Sequence, residues 1–321
     1  MLRPKYYLWL LYTFDLLVSL TQCSQAAYLR YYRSSFQDYK ETKIQNPLRL
    51  LQWIDLSKPT LIYSFGFNST PESVRNITEA YIKRNHTNYI LVNWESEARN
   101  NKLEKVLAHA LTAVPNSIKV GKELGISLLQ LSCRIDMRTV QLSGHSLGAH
   151  VVGYAGSVAR DRGVVVGRIT ALDPSSTKYE GFEHSRGLDR SSAAFVSVWH
   201  SDPGNYGTSQ ALGDVDVWFN CGGTVQPGCK EGDFPAFTTD STCSHSRTIS
   251  FFVESINSPN TFIASKASDC QSWTQGNSGD CTRENILYVN DKMDASARGN
   301  YYLSTNPQEP YGKGLKGLRP N

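Results

Sequence analysis

The stretch Gly144-His145-Ser146-Leu147-Gly148 decides the fold of this chain, because it joins a short apolar run to a segment of small residues. Thr139 to Leu142 is predicted to be a buried strand, and Ala149 to Gly156 a helix whose small side chains allow close packing on a sheet. In this setting Gly-x-Ser-x-Gly is typical of a nucleophile elbow, a strained turn that presents the serine hydroxyl. The alternative is a glycine-rich turn without chemistry.

A serine hydroxyl becomes an effective nucleophile only when a histidine accepts its proton and a carboxylate orients that histidine. In α/β-hydrolases the acid and then the histidine follow the serine along the chain. Gly167 to Leu172 is predicted to be a strand that runs directly into Asp173. This places a carboxylate at the sheet edge where open α/β sheets bind their ligands. The alternative acids, each of which a solvated loop or a helix cap would also explain, are Asp189, Asp202 and Asp216.

Three histidines downstream of the predicted acid are candidates for the general base. His184 lies in a polar loop, where a surface position is expected. His200 ends the apolar run 194–199 and is either a base or a structural histidine at a strand end. His245 lies beside a cysteine that could anchor it, just before a helix predicted over 249–256. We favour His245 as the base.

Predicted strands and helices alternate along the chain, which indicates a mainly parallel sheet covered by helices on both faces. The strands are predicted at Thr60 to Ser64 and Tyr89 to Asn93 and near Thr139, Ile169 and Phe195. A helix is predicted from Val106 to about Leu131, with Pro115 near a break or a start.

Four motifs occur in order along the chain: Gly144 to His150, Ala171 to Pro174, Gln226 to Cys229 and Cys243 to Arg247. Together they resemble the pancreatic-lipase family of α/β-hydrolases, which includes insect secreted lipases and the venom phospholipases A1. The resemblance runs from about Pro59 to Gly312 and implies the α/β-hydrolase fold. It also implies a secreted serine esterase with Ser146 as nucleophile, Asp173 as acid and His245 as general base.

The tetrahedral intermediate of ester hydrolysis needs two backbone N–H donors. One is normally supplied by the residue after the serine, which here is Leu147, and the other by a loop after an early strand. In the related family the second donor lies in a His-Gly-Phe segment, and the resemblance assigns that position to Phe67. Phe65 replaces the histidine of the family. Since the donor is a backbone N–H, the oxyanion hole can survive this change, although its side-chain support differs.

The N-terminal residues 1–26 are predicted to be a signal peptide, because Arg3 and Lys5 precede an apolar run and small residues precede Ala27. A transmembrane anchor fits less well, since the run is shorter than the ~20 residues that a span requires. Residues 27–321 are predicted to form a single catalytic domain, and the resemblance implies that no β-sandwich domain follows it. The formal net charge of +4 without a basic run gives no indication of nucleic-acid binding.

Six of the seven cysteines follow the predicted signal peptide, and an even number in a secreted protein indicates disulfides. The family resemblance implies the pairs Cys229 with Cys243 and Cys270 with Cys281, and it leaves Cys133 and Cys221 unassigned. Three sequons are candidate glycosylation sites, at Asn68, Asn76 and Asn85.

No metal or other cofactor is expected. The calcium loop of vertebrate family members corresponds to 183–192, where Glu183 and Asp189 are the only carboxylates and Arg190 lies among them. Calcium prefers six to eight oxygen ligands, so a tight site is not predicted. No pair of histidines or cysteines has the spacing of a zinc site.

The expected substrate is a lipid ester at a membrane, lipid-droplet or micelle interface, and no protein partner is indicated. In the family the loop between the two cysteines before the catalytic histidine forms a lid, and here it is only Lys230 to Thr242. Family members with short lids tend to hydrolyse the sn-1 ester of phospholipids. Phe234 and Phe237 could contact an acyl chain or fix the loop. The alternative is a lipase-fold protein of the yolk-protein type, which stores or binds lipid without catalysis.

Overall fold

In a computed structural model, described for residues 27–99, 102–180, 187–223, 225–276 and 285–320, a large mainly parallel sheet runs through the molecule. Seven parallel strands form its centre, in the spatial order β11-β8-β7-β6-β5-β3-β4. Their bounds are β3 Thr60–Ser64, β4 Asn88–Asn93, β5 Val140–His145, β6 Arg168–Leu172, β7 Val196–His200, β8 Val215–Phe219 and β11 Gly299–Leu303. The predicted α/β-hydrolase class and its mainly parallel sheet are confirmed.

Antiparallel strands close both edges of the sheet. At one edge the hairpin of β1 Tyr28–Tyr32 and β2 Tyr39–Lys43 pairs with β4. At the other edge β9 Ile263–Lys266 pairs with β11, and β10 Ile286–Tyr288 pairs with β9. The sequence pattern does not predict these four strands, because each is short and lacks a clear apolar period.

Helices of this chain pack on both faces of the sheet. Their bounds are α1 Arg75–Arg84, α2 Glu95–Ala98, α3 Lys105–Ala108, α4 Val114–Leu131, α5 Leu147–Arg160, α6 Cys243–Asn257 and α7 Cys270–Thr274. Two of them depart from prediction. The helix expected from Val106 is interrupted by a π-helical turn, His109–Ala113, before Pro115 begins the regular part. The helix expected over 249–256 begins at Cys243, so that His245 lies inside its first turn.

The register of β6 and β7 shows which helices share a face. Leu172 pairs with Trp199, so these side chains point to the same face of the sheet, where the Trp199 ring lies 5.6 Å from that of Phe252 on α6. Ile169 is three residues before Leu172 and points to the other face, where it contacts α5 at Gly156. The apolar core therefore forms two layers, one under α1 and α6 and one under α4 and α5.

The structure corrects one of the two disulfides implied by the family resemblance. Cys229 pairs with Cys243, as expected, but Cys270 pairs with Cys221 rather than with Cys281, which lies outside the described residues. Cys221 directly follows β8, and α7, which begins at Cys270, folds back over the sheet so that its Trp273 ring stacks on Tyr302 of β11, the strand beside β8. Cys133 is exposed and forms no disulfide with any described cysteine.

Candidate active site

Ser146 lies at the turn between β5 and α5, in a backbone conformation that residues other than glycine rarely adopt. Its φ and ψ angles are 57° and −124°, and its N–H donates to the Leu172 carbonyl at 3.0 Å. Gly148 packs so closely that a Cβ atom there would collide with the backbone oxygen of Ser64. The turn is thus held between β3 and β6, and Ser146, although 93% buried, lines a cleft at the carboxyl edge of the sheet. This is the geometry of a nucleophile elbow.

Asp173 follows β6 and is completely buried. Its φ is also positive, at 42°, which turns the carboxylate away from the path of the strand. The oxygen Oδ1 accepts the backbone N–H groups of Ser201 at 2.8 Å and Asp202 at 3.1 Å. The oxygen Oδ2 lies 2.6 Å from Nδ1 of His245. Asp173 is therefore held on one side by backbone donors and orients a histidine with the other.

His245 is fixed by contacts on its own backbone as well as on its ring. His145 donates its Nε2 proton to the His245 carbonyl at 3.0 Å, and Ser201 donates its hydroxyl to the carbonyl of Ser244 at 2.7 Å. Because Nδ1 of His245 is occupied by Asp173, Nε2 is the ring nitrogen that remains for Ser146, and both residues line the same cleft. Such an arrangement can transfer a proton from a serine hydroxyl.

Burial keeps the supporting histidines neutral. Burial, and then the nearby His245, lower the pKa of His145 to about 3. The same two causes lower the pKa of His109, in the cleft wall, to about 4. Neither ring therefore carries a charge near neutral pH that would disfavour an imidazolium on His245.

Asp202 is a second buried carboxylate beside the His245–Asp173 pair. Its oxygens accept the side-chain amide of Asn205 and the backbone N–H of Tyr206, at 3.1 and 3.3 Å. Burial, followed by the charge of Asp173, raises its pKa to about 6. The expectation of a solvated carboxylate is wrong for Asp202, because the loop after β7 folds inward against Asp173, but Asp202 does cap a backbone N–H of its own loop.

The segment proposed to supply the second oxyanion donor lies against the serine. A Cβ atom on Gly66 would lie 2.7 Å from Cβ of Ser146, so only glycine allows this approach. Phe65 is buried and stacks on Trp94, whose indole N–H donates to the Phe65 carbonyl at 3.0 Å. Trp94, which the sequence analysis missed, therefore supports the segment where the family has a histidine. Phe67 follows and lines the cleft.

Aromatic rings form one wall of the cleft, which has a volume of about 360 Å³. The ring of Phe237 lies 4.9 Å from that of Phe67, 5.2 Å from that of His109 and 5.2 Å from that of Tyr206. The backbone of Phe237 is fixed too, because its N–H donates to the Tyr206 hydroxyl at 3.0 Å and its carbonyl accepts from Lys105 at 3.1 Å. Phe237 thus both fixes its loop and faces the cleft, whereas Phe234 is absent from the described lining.

The remaining candidates from the sequence lie elsewhere. His200 and Asp216 form a separate pair, with Nε2 and Oδ1 2.9 Å apart, and both are buried. The expectation of a solvated position is therefore wrong for Asp216, although its carboxylate does accept backbone N–H groups of its own loop. Asp189 does act as a cap, for the short 3-10 helix Arg190–Ser192. His184 and Glu183 lie outside the described residues.

One cluster within the described ranges brings three potential metal ligands together, namely Asp173, Asp202 and His245, whose ligand atoms lie within 4.8 Å of one another. Since Asp173 and His245 are hydrogen-bonded to each other and Asp202 binds its own loop, the contacts fit an acid–base pair better than a metal site.

Asn68, Asn76 and Asn85 are all exposed, as N-glycosylation would require. In the part of the chain that the structure describes, no helix has the length and apolarity needed to cross a membrane.

The fold and the elbow define the chain as an α/β-hydrolase. The sequence model of the family described as Lipase matches residues 22–311. The chain belongs to this family, and the resemblance to the pancreatic-lipase family is confirmed.

Two relatives illustrate the similarity. Lipoprotein lipase from Homo sapiens is 30% identical over 73% of this chain and 51% of its own length. Phospholipase A1 VesT1.02 from Vespa tropica is 30% identical over 61% of this chain and 64% of its own length. The chain thus spans about half of the lipoprotein lipase and somewhat less than two thirds of the wasp protein.

Proposed function

We propose that this protein is a secreted serine esterase that hydrolyses lipid esters through an acyl-enzyme. The observation that carries the proposal is the cleft at the carboxyl edge of the sheet, where Ser146 on a strained elbow and His245, held by Asp173 at 2.6 Å, are both present. Membership of the Lipase family and relatives named lipase and phospholipase A1 support the same reaction class.

In the first half of the reaction, Nε2 of His245 accepts the hydroxyl proton of Ser146 while Oγ forms a bond to the carbonyl carbon of the ester. The carbonyl oxygen becomes an oxyanion, which the N–H groups of Leu147 and Phe67 stabilise. Asp173 stabilises the imidazolium that forms on His245. Collapse of the intermediate breaks the bond to the alcohol oxygen, which takes the proton from His245, and the acyl group stays on Ser146.

In the second half, His245 accepts a proton from a water molecule whose oxygen attacks the acyl carbon. Collapse of the second intermediate breaks the bond to Oγ of Ser146, which recovers its proton from His245. The fatty acid is released, and the enzyme returns to its starting state. No metal or other cofactor takes part in this proposed cycle.

The lining of the cleft supports an amphiphilic lipid as the substrate. Its aromatic wall offers apolar contacts to an acyl chain, and several hydroxyl side chains in the lining offer hydrogen bonds to a polar alcohol portion, namely Ser69, Ser73, Ser175, Ser246 and Ser250. The short lid loop, fixed at Phe237, leaves less apolar cover than a long lid would. We therefore propose a preference for phospholipids at the sn-1 ester, or for both phospholipids and neutral glycerides.

The proposed secretion rests on three features of the chain. Residues 1–26 have the pattern of a signal peptide, but they lie outside the described residues. Two disulfides and three exposed sequons are typical of proteins that mature in the secretory pathway.

The test is the release of fatty acid by the purified protein from phosphatidylcholine, from triacylglycerol and from a soluble short-chain ester, with Ser146→Ala as the matched control. Release that disappears in Ser146→Ala supports the serine mechanism, and the better lipid identifies the preferred substrate class. A folded protein that releases nothing from any of the three would contradict the proposal and favour a role in lipid storage or binding.

A further inference from the structure

An exposed stripe of apolar side chains runs from the residue before the N-cap Glu104, along α3, into the π-helical turn His109–Ala113. Leu103, Val106, Leu107 and Leu111 are 39%, 49%, 51% and 63% exposed, and we name these four residues the leucine stripe. Val106 and Leu107 lie on α3, Leu111 follows on the π-helical turn, and Leu103 precedes the N-cap residue of α3. Helix α3 is stabilised at its start by Glu104, whose carboxylate accepts the backbone N–H groups of Val106 and Leu107.

The concentration of apolar surface in the stripe is unusual for this molecule. Large apolar side chains that are exposed singly are ordinary on protein surfaces. Within the described ranges twelve such side chains are exposed, and four of them fall within the nine residues 103–111. Contiguous exposed apolar surface of this kind marks interaction sites.

The stripe lies at the same edge of the sheet as the cleft. It follows β4, just as Phe67 follows β3 and Ser146 follows β5, and these three strands are parallel neighbours. The backbone links the two regions directly, because the N–H of Asn68 donates to the Ala98 carbonyl at 3.0 Å. The stripe therefore adjoins the region where a substrate must enter.

Two contacts join the stripe to the wall of the cleft. His109, which lies between Leu107 and Leu111 in sequence, turns inward and packs edge to face against Phe67 with ring centres 5.0 Å apart. Lys105, at the start of the same turn, donates to the Phe237 carbonyl. The same short segment thus directs His109 toward the cleft and Lys105 toward the lid loop, while the side chains of the leucine stripe face solvent.

We infer that the leucine stripe is a docking surface for the apolar layer of a lipid aggregate, into which its side chains insert. The inference rests on the proposed function, because it supplies the step that brings an aggregated lipid ester to Ser146. Leucine and valine side chains gain free energy when they leave water for hydrocarbon. A lipid surface is favoured over a protein partner because the segment that carries the stripe also carries His109, which lines a cleft whose proposed ligand is itself a lipid.

The test measures binding to sucrose-loaded phosphatidylcholine vesicles by sedimentation, with the full chain carrying Ser146→Ala so that the lipid is not consumed. The variant is Leu107→Gln with Leu111→Gln. The matched control is Leu56→Gln with Val165→Gln, which also removes two exposed apolar side chains, 54% and 42% exposed, but from segments that precede β3 and β6 at the opposite edge of the sheet. The stripe variant should lower the partition coefficient by about tenfold or more, and the control by less than about twofold.

The same substitutions with Ser146 intact separate docking from catalysis. We expect both double variants to hydrolyse a soluble short-chain ester at rates within about twofold of the parent, because neither removes a residue of the cleft. A parent that binds vesicles through the stripe but does not hydrolyse the soluble ester would contradict the proposed function while supporting the docking surface.

Three results would overturn the docking inference itself. The first is a parent chain that does not bind the vesicles, and the second is equal binding by the stripe variant and the control. The third is a lipid-free parent that sedimentation equilibrium shows to be an oligomer and that the stripe variant converts to monomers, because the stripe would then be a contact between copies of this chain.

Discussion

The molecule contains two buried histidine–aspartate pairs among its described residues, and only one of them borders the cleft. The first joins His245 to Asp173, and the second joins His200 at the end of β7 to Asp216 on β8. Their N···O distances are similar, 2.6 and 2.9 Å, and all four residues are buried. A close histidine–carboxylate contact is thus not enough to identify a catalytic pair.

The difference lies in what the other ring nitrogen faces. In the second pair Nδ1 of His200 lies 3.3 Å from the Thr208 carbonyl, and the ring stacks on Trp218 with centres 3.8 Å apart. Asp216 also accepts the backbone N–H groups of Leu212 and Gly213, so this pair fixes the loop between β7 and β8. In the first pair one ring nitrogen remains for a nucleophile in an open cleft. What distinguishes the candidate catalytic pair from the structural pair is therefore the access of the second ring nitrogen to the cleft, rather than the histidine–carboxylate contact.

Replacing the two histidines in turn should give the largest difference in activity. His245→Ala should lower kcat/KM on a soluble ester by about 10⁴-fold or more, because the proton acceptor is lost. His200→Ala should keep kcat/KM per folded molecule within about tenfold but lower stability by about 3 kcal/mol, since it leaves a buried carboxylate without its partner. Steady-state kinetics and urea unfolding measure the two quantities. Comparable losses of activity in both variants would remove the distinction between the pairs.

The next effect concerns the two carboxylates. Asp173→Asn should lower kcat by about 10³- to 10⁴-fold, because an amide stabilises the wrong tautomer of His245 and no imidazolium. Asp216→Asn should change kcat by less than about tenfold. The measurement is kcat for the folded fraction of each variant, with circular dichroism as the control for folding. Near-normal kcat in Asp173→Asn would show that another group orients His245.

The local part of this site could be predicted from the sequence, because local patterns encode it. The elbow around Ser146 needs glycines and a strand–helix junction, and Asp173 directly follows an apolar strand, so chain order alone places both at one sheet edge. His245 could be favoured because Cys243 beside it offered an anchor, and the structure shows that Cys243 is bonded to Cys229. The sequence left the role of His200 open, since a histidine at the end of a strand can be either a general base or a structural residue.

The rest depends on contacts between distant segments, which no local pattern shows. The inward fold of Asp202, the support of Phe65 by Trp94 and the clamp on Phe237 each join residues from different loops. The Cys221–Cys270 bond depends on how α7 folds back against β11, while the family resemblance implied a different partner. Local sequence patterns thus predict which residues are candidates for catalysis, whereas contacts in the tertiary fold determine which of them reach the cleft and what holds them in place.

The smallest expected effect concerns Asp202, the third buried carboxylate, which adjoins the first pair. Its pKa is raised from 3.8 to about 6, so between pH 4 and 6 the folded state holds a proton that the unfolded state releases. This group therefore makes the folded state less stable as the pH rises through that window. Asp202→Asn should be more stable than the parent at pH 7.5, by about 3 kcal/mol at most, and the gain should vanish near pH 4.

Urea unfolding of parent and variant at pH 4, 5, 6 and 7.5 measures this effect. Asp161→Asn, which changes an exposed carboxylate at the end of α5, is the matched control and should leave the pH profile unchanged. A gain from Asp202→Asn that is the same at every pH would show that the carboxyl of Asp202 does not titrate in this range.

The most direct test of the central claim is covalent labelling by a serine-directed phosphonate, followed by mass spectrometry of the labelled peptide. We expect one adduct per folded chain, on Ser146, formed at a normal rate in His200→Ala and at least about a thousandfold more slowly in His245→Ala. A folded parent that resists labelling, or an adduct on another residue, would contradict the assignment of Ser146 and His245 as the reacting pair.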